Sequence, residues 1–373
     1  MKKFEMRYLA AAFVLLFAGC SSRGSLASRS GDAGLPAIRP AVNDIVVRAR
    51  EYKIPKNAIG TTSIIVGPDK KLWFTELEHI ASVTTGGSFS QVALKWPSYP
   101  GTLVAGPDGN VWANAAGNRP PHRKGDRFIT YYLFYRVTPS MRRTLVDLPK
   151  DALGMPSNLV RVDSQFYFAY ETHRDTKNGD KWASPVGSLQ TDGAVKTLFN
   201  PIYRHDSVAW LNVLWTPDKK LWLYDYSGNI RICSLDRHCK LVHEGYPYED
   251  VGNIHAMTMA YSPVDHEVYI ANLNSWTIER VSESGQVLSG YSNPLIQLGF
   301  GALAYYHGNI WITMNADGEG RPMFGRLSPN GTFTEYSLPF VGSKFEATAM
   351  VEGPDGHLWY VRGHHIGEIL SDV

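Results

Sequence analysis

The phrase GPDKKLWFTE at Gly67–Glu76 constrains this chain more than any other feature. It returns as GPDGNVWANA from Gly106 and GPDGHLWYVR from Gly353, with weaker copies TPDKKLWLYD from Thr216 and HGNIWITMN from His307. A short apolar run, a Pro-Asp-Gly turn and a second run ending in Trp describe two antiparallel strands joined tightly. Recurrence at tens of residues is the mark of a repeat architecture. Anchored on the aromatic that closes the second run, the copies fall at Trp73, Trp112, Tyr167, Trp222, Tyr269, Trp311 and Trp359, with gaps of 39 to 55 residues. That spacing is close to one four-stranded propeller blade. Each unit continues into a second hairpin, seen best in MFGRLSPNGTFTEYSLP (Met323–Pro339), which alternates around an Asn-Gly turn. The last unit has residues for a third strand after Trp359 and none for a fourth. Val46–Pro55 reads like the outer strand TEYSLP of unit six. The expected fold is all-β: a seven-bladed β-propeller with an N-terminal strand completing the last blade.

The start of the chain reads as an address. Lys2, Lys3 and Arg7 precede an apolar stretch from Tyr8 to Phe17, and Phe17-Ala18-Gly19-Cys20 follows. The segment is too short to span a bilayer as a mature helix. Cys20 at the cleavage point resembles a bacterial lipoprotein box, which implies lipidation of Cys20. The expected organisation is a lipoprotein signal peptide over 1–19, a Ser/Gly/Ala/Pro-rich flexible tether over 20–43, and the propeller over 44–373. The expected place is the bacterial cell envelope, lipid-anchored at the outer membrane or periplasmic face, with plain secretion as the alternative. Removing 1–19 takes the charge balance from 37 basic and 35 acidic residues to 34 of each. A neutral chain has no electrostatic footprint for nucleic acid. Cys233 and Cys239 each end a β-like run, and their spacing suits a disulfide across the outer hairpin of unit four.

The pattern GPDG-x-L-W-F-T-E, then x-I-x-x-I/V, then a turn and E-Y-x-L-P, resembles the repeat of the virginiamycin B (streptogramin B) lyase family over nearly all of Asp44–Val373. The resemblance implies a seven-bladed propeller. For an active member it implies Mg2+ held by two carboxylates at the ring centre, and a catalytic His. It also implies elimination that opens a lactone: a base takes the proton beside the ester carbonyl and the metal stabilises the developing charge. The residues carry over in part. Asn253–Met257 matches the phrase of the first His, which places His255 there. The following unit places Phe300 where the catalytic His belongs, and Asn315 where the Glu four residues past the Trp belongs. In the last unit Glu346 takes the carboxylate place, Thr348 stands at the His position and Gly363 four past Trp359.

The positions aligned with the family's His are Thr62, Gly101, Ser157, Leu211, His255, Phe300 and Thr348. Such a ring would suit a small polar or aromatic ligand. Two neighbouring units insert long segments between their second and third strands, at Gly117–Tyr132 and Glu171–Ser184. These bring Arg119, Arg123, Lys124, Arg127, Arg174, Lys177 and Lys181 among aromatics. A basic, aromatic rim suits an anionic or sugar-like ligand or an acidic partner. Glu76, Glu78, His79, Asp317 and Glu319 are rim groups that a divalent cation could use. The leading expectation is therefore a ligand- or partner-binding module. Its candidate contacts are Thr62, Ser157, His255, Phe300, Thr348, Arg123, Lys124 and Arg174. The expected partner is a small molecule or an envelope protein, and the chain is expected to be a monomer. The alternative is a streptogramin B lyase-like, Mg-dependent carbon–oxygen lyase using His255 as a catalytic residue and Glu346 as a metal ligand.

Overall fold

The computed structural model describes residues 45–55, 62–95, 98–119, 129–149, 152, 154, 156–176, 179–200, 210–225, 229–243, 259–272, 277–292, 300–314, 321–340 and 346–370. Two short strands come first, β1 (Ile45–Val46) and β2 (Ala49–Lys53). Blade one is β3–β6 (Ile64–Val66, Leu72–Glu76, His79–Val83, Phe89–Ala93), and blade two is β7–β10 (Ser98–Ala105, Val111–Arg119, Ile129–Val137, Arg143–Asp147). Blade three is β11 (Val160–Val162), β12 (Gln165–Ala169), β15 (Val186–Gln190) and β16 (Val195–Phe199), interrupted by a separate hairpin of β13 (Thr172–Thr176) and β14 (Gly179–Ala183). Blade four is β17–β20 (Trp210–Thr216, Lys220–Asp225, Ile230–Ser234, Cys239–His243). Blade five is β21–β24 (Met259–Ser262, Glu267–Asn272, Thr277–Ser282, Val287–Ser292). Blade six is β25–β28 (Phe300–Tyr306, Asn309–Met314, Met323–Leu327, Phe333–Ser337), and β29–β31 (Ala347–Glu352, Leu358–Arg362, His365–Ile369) begin blade seven.

The ring closes as the half-units require. β2 pairs antiparallel with β31, Ala49 opposite Ile369 and Lys53 opposite His365, and supplies the missing outer strand of blade seven. The structure divides the expected N-terminal strand, however. β1 leaves blade seven and runs parallel to β28 of blade six, Ile45 opposite Tyr336. One segment thus bridges both sides of the last seam. Two ion pairs lock it there: Arg362 with Glu51, both almost fully buried, and Arg50 with Glu368. Breaking a buried pair of this kind by removing one partner costs about 3–5 kcal/mol.

The repeat phrase is explained by the seams. Seven apolar clusters fill the seven blade-to-blade interfaces. Each anchor aromatic sits in the seam toward the next blade, Trp73 against blade two and Trp359 against blade one. The residue after the anchor faces the preceding seam, as strand alternation demands, with Phe74 packed against blade seven. The five anchor tryptophans are fully buried. Three of them are clamped by the Asp of their own turn: Trp73 Nε1 donates to Asp69 at 2.7 Å, Trp112 to Asp108 at 3.2 Å and Trp359 to Asp355 at 3.0 Å. The preceding Gly leaves room for the indole, since a Cβ on Gly67 would lie 2.2 Å from Trp73 Cδ1. Gly, Asp and Trp of the phrase form one structural device. The disulfide joins Cys233 and Cys239, which lie directly opposite on β19 and β20.

Candidate functional site

Antiparallel order within each blade puts the starts of the inner strands and the connections between second and third strands on one face of the ring. The Pro-Asp turns lie on the other face. Four inner strands break register near their starts, between Pro100 and Leu103, Trp210 and Asn212, Phe300 and Leu303, and Ala347 and Ala349. A bulge leaves backbone groups without ladder partners. A polar side chain two residues past the anchor collects them. Asn114 Oδ1 accepts from Thr102 N at 2.6 Å, and Thr313 Oγ1 accepts from Ala302 N at 2.8 Å. Thr75 Oγ1 does the same for Thr62 N at 3.2 Å.

These contacts extend into a belt from blade one to blade four. Thr62 Oγ1 donates to Gly101 O at 3.1 Å, and Leu103 N donates to Ser63 Oγ at 3.0 Å. Asn114 Nδ2 donates to Pro156 O at 2.7 Å and to Ser157 O at 3.2 Å. Asn158 exchanges two bonds with the backbone of Val213, at 2.6 and 2.7 Å. Three expected ligand contacts therefore already hold protein groups. Ser157 Oγ accepts from Ala169 N at 2.9 Å and donates to Asn158 O, and Thr348 Oγ1 faces Val361 O at 3.4 Å. The sequence signal for the belt is the polar residue two past the Trp in LWFT, VWAN and IWIT.

Phe300 opens β25, Leu211 lies on β17, and Glu346 sits half-buried just before β29. Arg174 lies on β13 opposite Lys181 of β14. His255, Arg123, Lys124 and Cys20 lie outside the described residues. Among the described residues, the ring positions aligned with the family's His offer no imidazole or carboxylate for the Mg2+ that the resemblance implies. Phe300 has no donor, and the hydroxyls of Thr62, Ser157 and Thr348 are committed to backbone. Among the described residues, the group of three such ligands whose atoms all lie within 4.8 Å of one another is Asp355, His357 and Glu368, on the opposite face; Glu346 is not in it.

Two carboxyls stand out on the loop-rich face. Glu76 ends β4, is 2% exposed, and its Oε1 has no hydrogen-bond partner among the described residues. Burial raises its pKa to about 7. Glu171 follows β12 and is half-buried, with its Oε2 close to Gly154. Burial raises it as well. Tyr132 of blade two is raised by burial first and by the charge of Glu171 second, which places these two groups in one neighbourhood. Glu171 lies four residues past Tyr167, the spacing at which the lyase repeat keeps its Glu. That spacing, applied to unit three, would have singled it out.

The insertions of blades two and three are partly built as sheet. The second and third strands of blade two reach nine residues each, where those of blade one have five. In blade three the insertion carries the β13–β14 hairpin, and Thr172 at its base bridges to Ala152.

No protein-family profile matches the chain, and no curated protein does. Solved structures do match in fold. A streptogramin B lyase structure superposes with a TM-score of 0.64 at 17% identity, over 86% of this chain and 96% of that one. A catalytically inactive histidine-to-alanine variant of virginiamycin B lyase from Staphylococcus aureus, with quinupristin, gives 0.62 at 16% identity, over 86% and 98%. The extracellular domain of a putative hybrid two component system from B. thetaiotaomicron gives 0.56 at 13% identity, covering 85% of this chain and 42% of that one. At these identities the likeness shows the fold, a seven-bladed propeller of the streptogramin-lyase type, and not a shared chemistry.

Proposed function

We propose that this chain is an exported, lipid-anchored propeller that binds a small molecule or an envelope protein on its loop-rich face. The observation that carries this reading is the paired extension of blades two and three. Adjacent blades raise β-structure above one sector of the ring, where blades one and seven join the same strands by tight turns at 77–78 and 363–364. Ordered insertions on a rigid scaffold are where binding residues concentrate. The basic residues Arg123, Lys124 and Arg174 belong to these insertions and suit an anionic ligand or acidic partner. The buried carboxyl of Glu171 lies at the base of the same sector and would orient a donor group of the ligand. Cys20 supplies the anchor through its lipid.

The lyase reading uses the same face, so one set of assays separates the two. Purified chain is mixed with quinupristin, with and without Mg2+, and followed by calorimetry and by mass spectrometry of the product. Binding without linearisation, weakened by Arg123→Glu with Lys124→Glu, supports the binding module. Mg2+-dependent linearisation lost in His255→Ala establishes the lyase. With no binding, the small-molecule arm fails for this ligand. Co-purification from envelope membranes that survives both charge reversals would then reject the proposed face. Export and anchoring are tested by Cys20→Ala, which should move the protein from the membrane to the soluble fraction.

A further inference from the structure

The turn-side face of blade seven carries a charge arrangement that departs from the other blades. The third-strand residue in register with the anchor aromatic is Arg136 in blade two, Arg280 in blade five and Arg326 in blade six. In blade seven it is Glu368, in register with Trp359. The residue two past the turn Asp is Lys71 in blade one and Asn110 in blade two, and it is His357 in blade seven. In blades one, three and four the place in register with the anchor holds Ser82, Ser188 and Ile232, so blade seven is the blade that puts an acid there, beside the turn Asp and an imidazole.

Their geometry is close to that of a metal site. His357 Nδ1 lies 2.5 Å from Glu368 Oε1 and 3.9 Å from Asp355 Oδ2. All three candidate ligand atoms lie within 4.8 Å of one another. Ligands bound to a tetrahedral Zn2+ at about 2.0–2.1 Å stand about 3.3 Å apart, so shifts of under about 1 Å would seat an ion. Each carboxylate has an outer partner that fixes its direction. Arg50 Nη2 holds Glu368 Oε2 at 2.5 Å, and Trp359 Nε1 holds Asp355 Oδ1 at 3.0 Å. Orienting partners of this kind are typical of metal ligands. Glu368 is 1% exposed, while His357 is about half exposed, so the ion would have a fixed floor and an open approach. Arg50 offsets one negative charge, which leaves a net charge near −1 for a divalent ion to balance.

We propose that Asp355, His357 and Glu368 form a site for a divalent transition-metal ion of the Zn2+ class. The three ligands come from a turn and from β31, and Arg50 continues the link to the closing strand β2. A bound ion would therefore tie the last blade to the strand that completes the ring. This site is separate from the loop-rich face and does not depend on the binding proposal.

The test is Zn2+ titration of the metal-free full chain by calorimetry, with melting curves in parallel. Expected are one equivalent bound with a raised melting temperature, and affinity at least tenfold lower in His357→Ala. His364→Ala, at the far end of β31 on the loop-rich face, should leave affinity unchanged. Co2+ should give the intense visible bands of a four-coordinate site in wild type and lose them in His357→Ala. This second readout is independent of any change in stability. Equal affinity in wild type and His357→Ala, loss of binding in His364→Ala instead, or no binding would overturn the proposal.

Discussion

Blades one and four carry almost the same words, GPDKKLWFTE and TPDKKLWLYD, and use them differently. In blade one, Gly67 leaves space for the indole and Asp69 accepts from Trp73 Nε1. In blade four, Thr216 replaces the Gly, and its hydroxyl donates to Asp218 at 2.6 Å. Asp218 is drawn to its own strand, and Trp222 Nε1 is left buried with no partner among the described residues. The acids at the far ends of the second strands show the reverse. Asp225 of blade four accepts from Asn229 N and Nδ2, both at 2.9 Å. Glu76 of blade one has an oxygen, Oε1, with no hydrogen-bond partner among the described residues. Blade four leaves its orphan group in a seam, and blade one leaves it at the loop-rich face.

The sharpest way to break this contrast is to write blade four's residue into blade one. Gly67→Thr places a Cβ where the Trp73 ring now lies, 2.2 Å from Cδ1. Overpacking costs about 1–3 kcal/mol and an orphaned indole N–H about 1–3 more. The expected loss is about 2–6 kcal/mol in urea unfolding, and a loss below about 1 kcal/mol would show that the device of Gly, Asp and Trp is dispensable.

The next effect belongs to Glu76 and depends on pH. Burial raises its pKa from 4.5 to about 7, so the folded chain holds a proton that the unfolded chain releases between those values. Stability from this group is present below about pH 4.5 and is lost as pH rises through about 7. Glu76→Gln removes the slope. A shift of this size corresponds to about 3 kcal/mol, so the variant should be more stable by roughly that amount near pH 8 and unchanged near pH 4. Parallel stability curves for wild type and variant would show that Glu76 has found a partner in solution.

The fold was legible because the repeat is written in residues with seam duties. A Trp needs a seam, an Asp needs its N–H, and a Gly must clear its ring, so each copy announces a blade. Closure was legible from two incomplete units, although the parallel pairing of β1 with blade six was not, since two residues carry no pattern. The site was less legible. Thr62, Ser157 and Thr348 were placed on the right face, but their hydroxyls bond backbone groups of neighbouring strands, which no single-strand pattern shows. Glu171 looked like one more loop residue until the neighbourhood of Tyr132 and Gly154 gave it a burial. Burial of a carboxyl is a property of the assembled seam, and the chain does not spell it locally.

The smallest effect is also the most discriminating, because it asks whether like residues at like positions do unlike work. Asp69→Ala removes the acceptor of Trp73 and leaves a buried N–H unsatisfied, at an expected cost of about 1–3 kcal/mol. Asp218→Ala removes an acceptor that Trp222 does not use. Thr216 Oγ1 lies 3.3 Å from Lys220 O and keeps that partner, so the expected cost is under about 1 kcal/mol. Denaturant midpoints for the two variants at one pH decide the matter, and equal losses would mean that the Asp acts in both blades through the turn itself. A larger loss for Asp69 alone would show that Asp218, held by the Thr216 hydroxyl, does no work for Trp222.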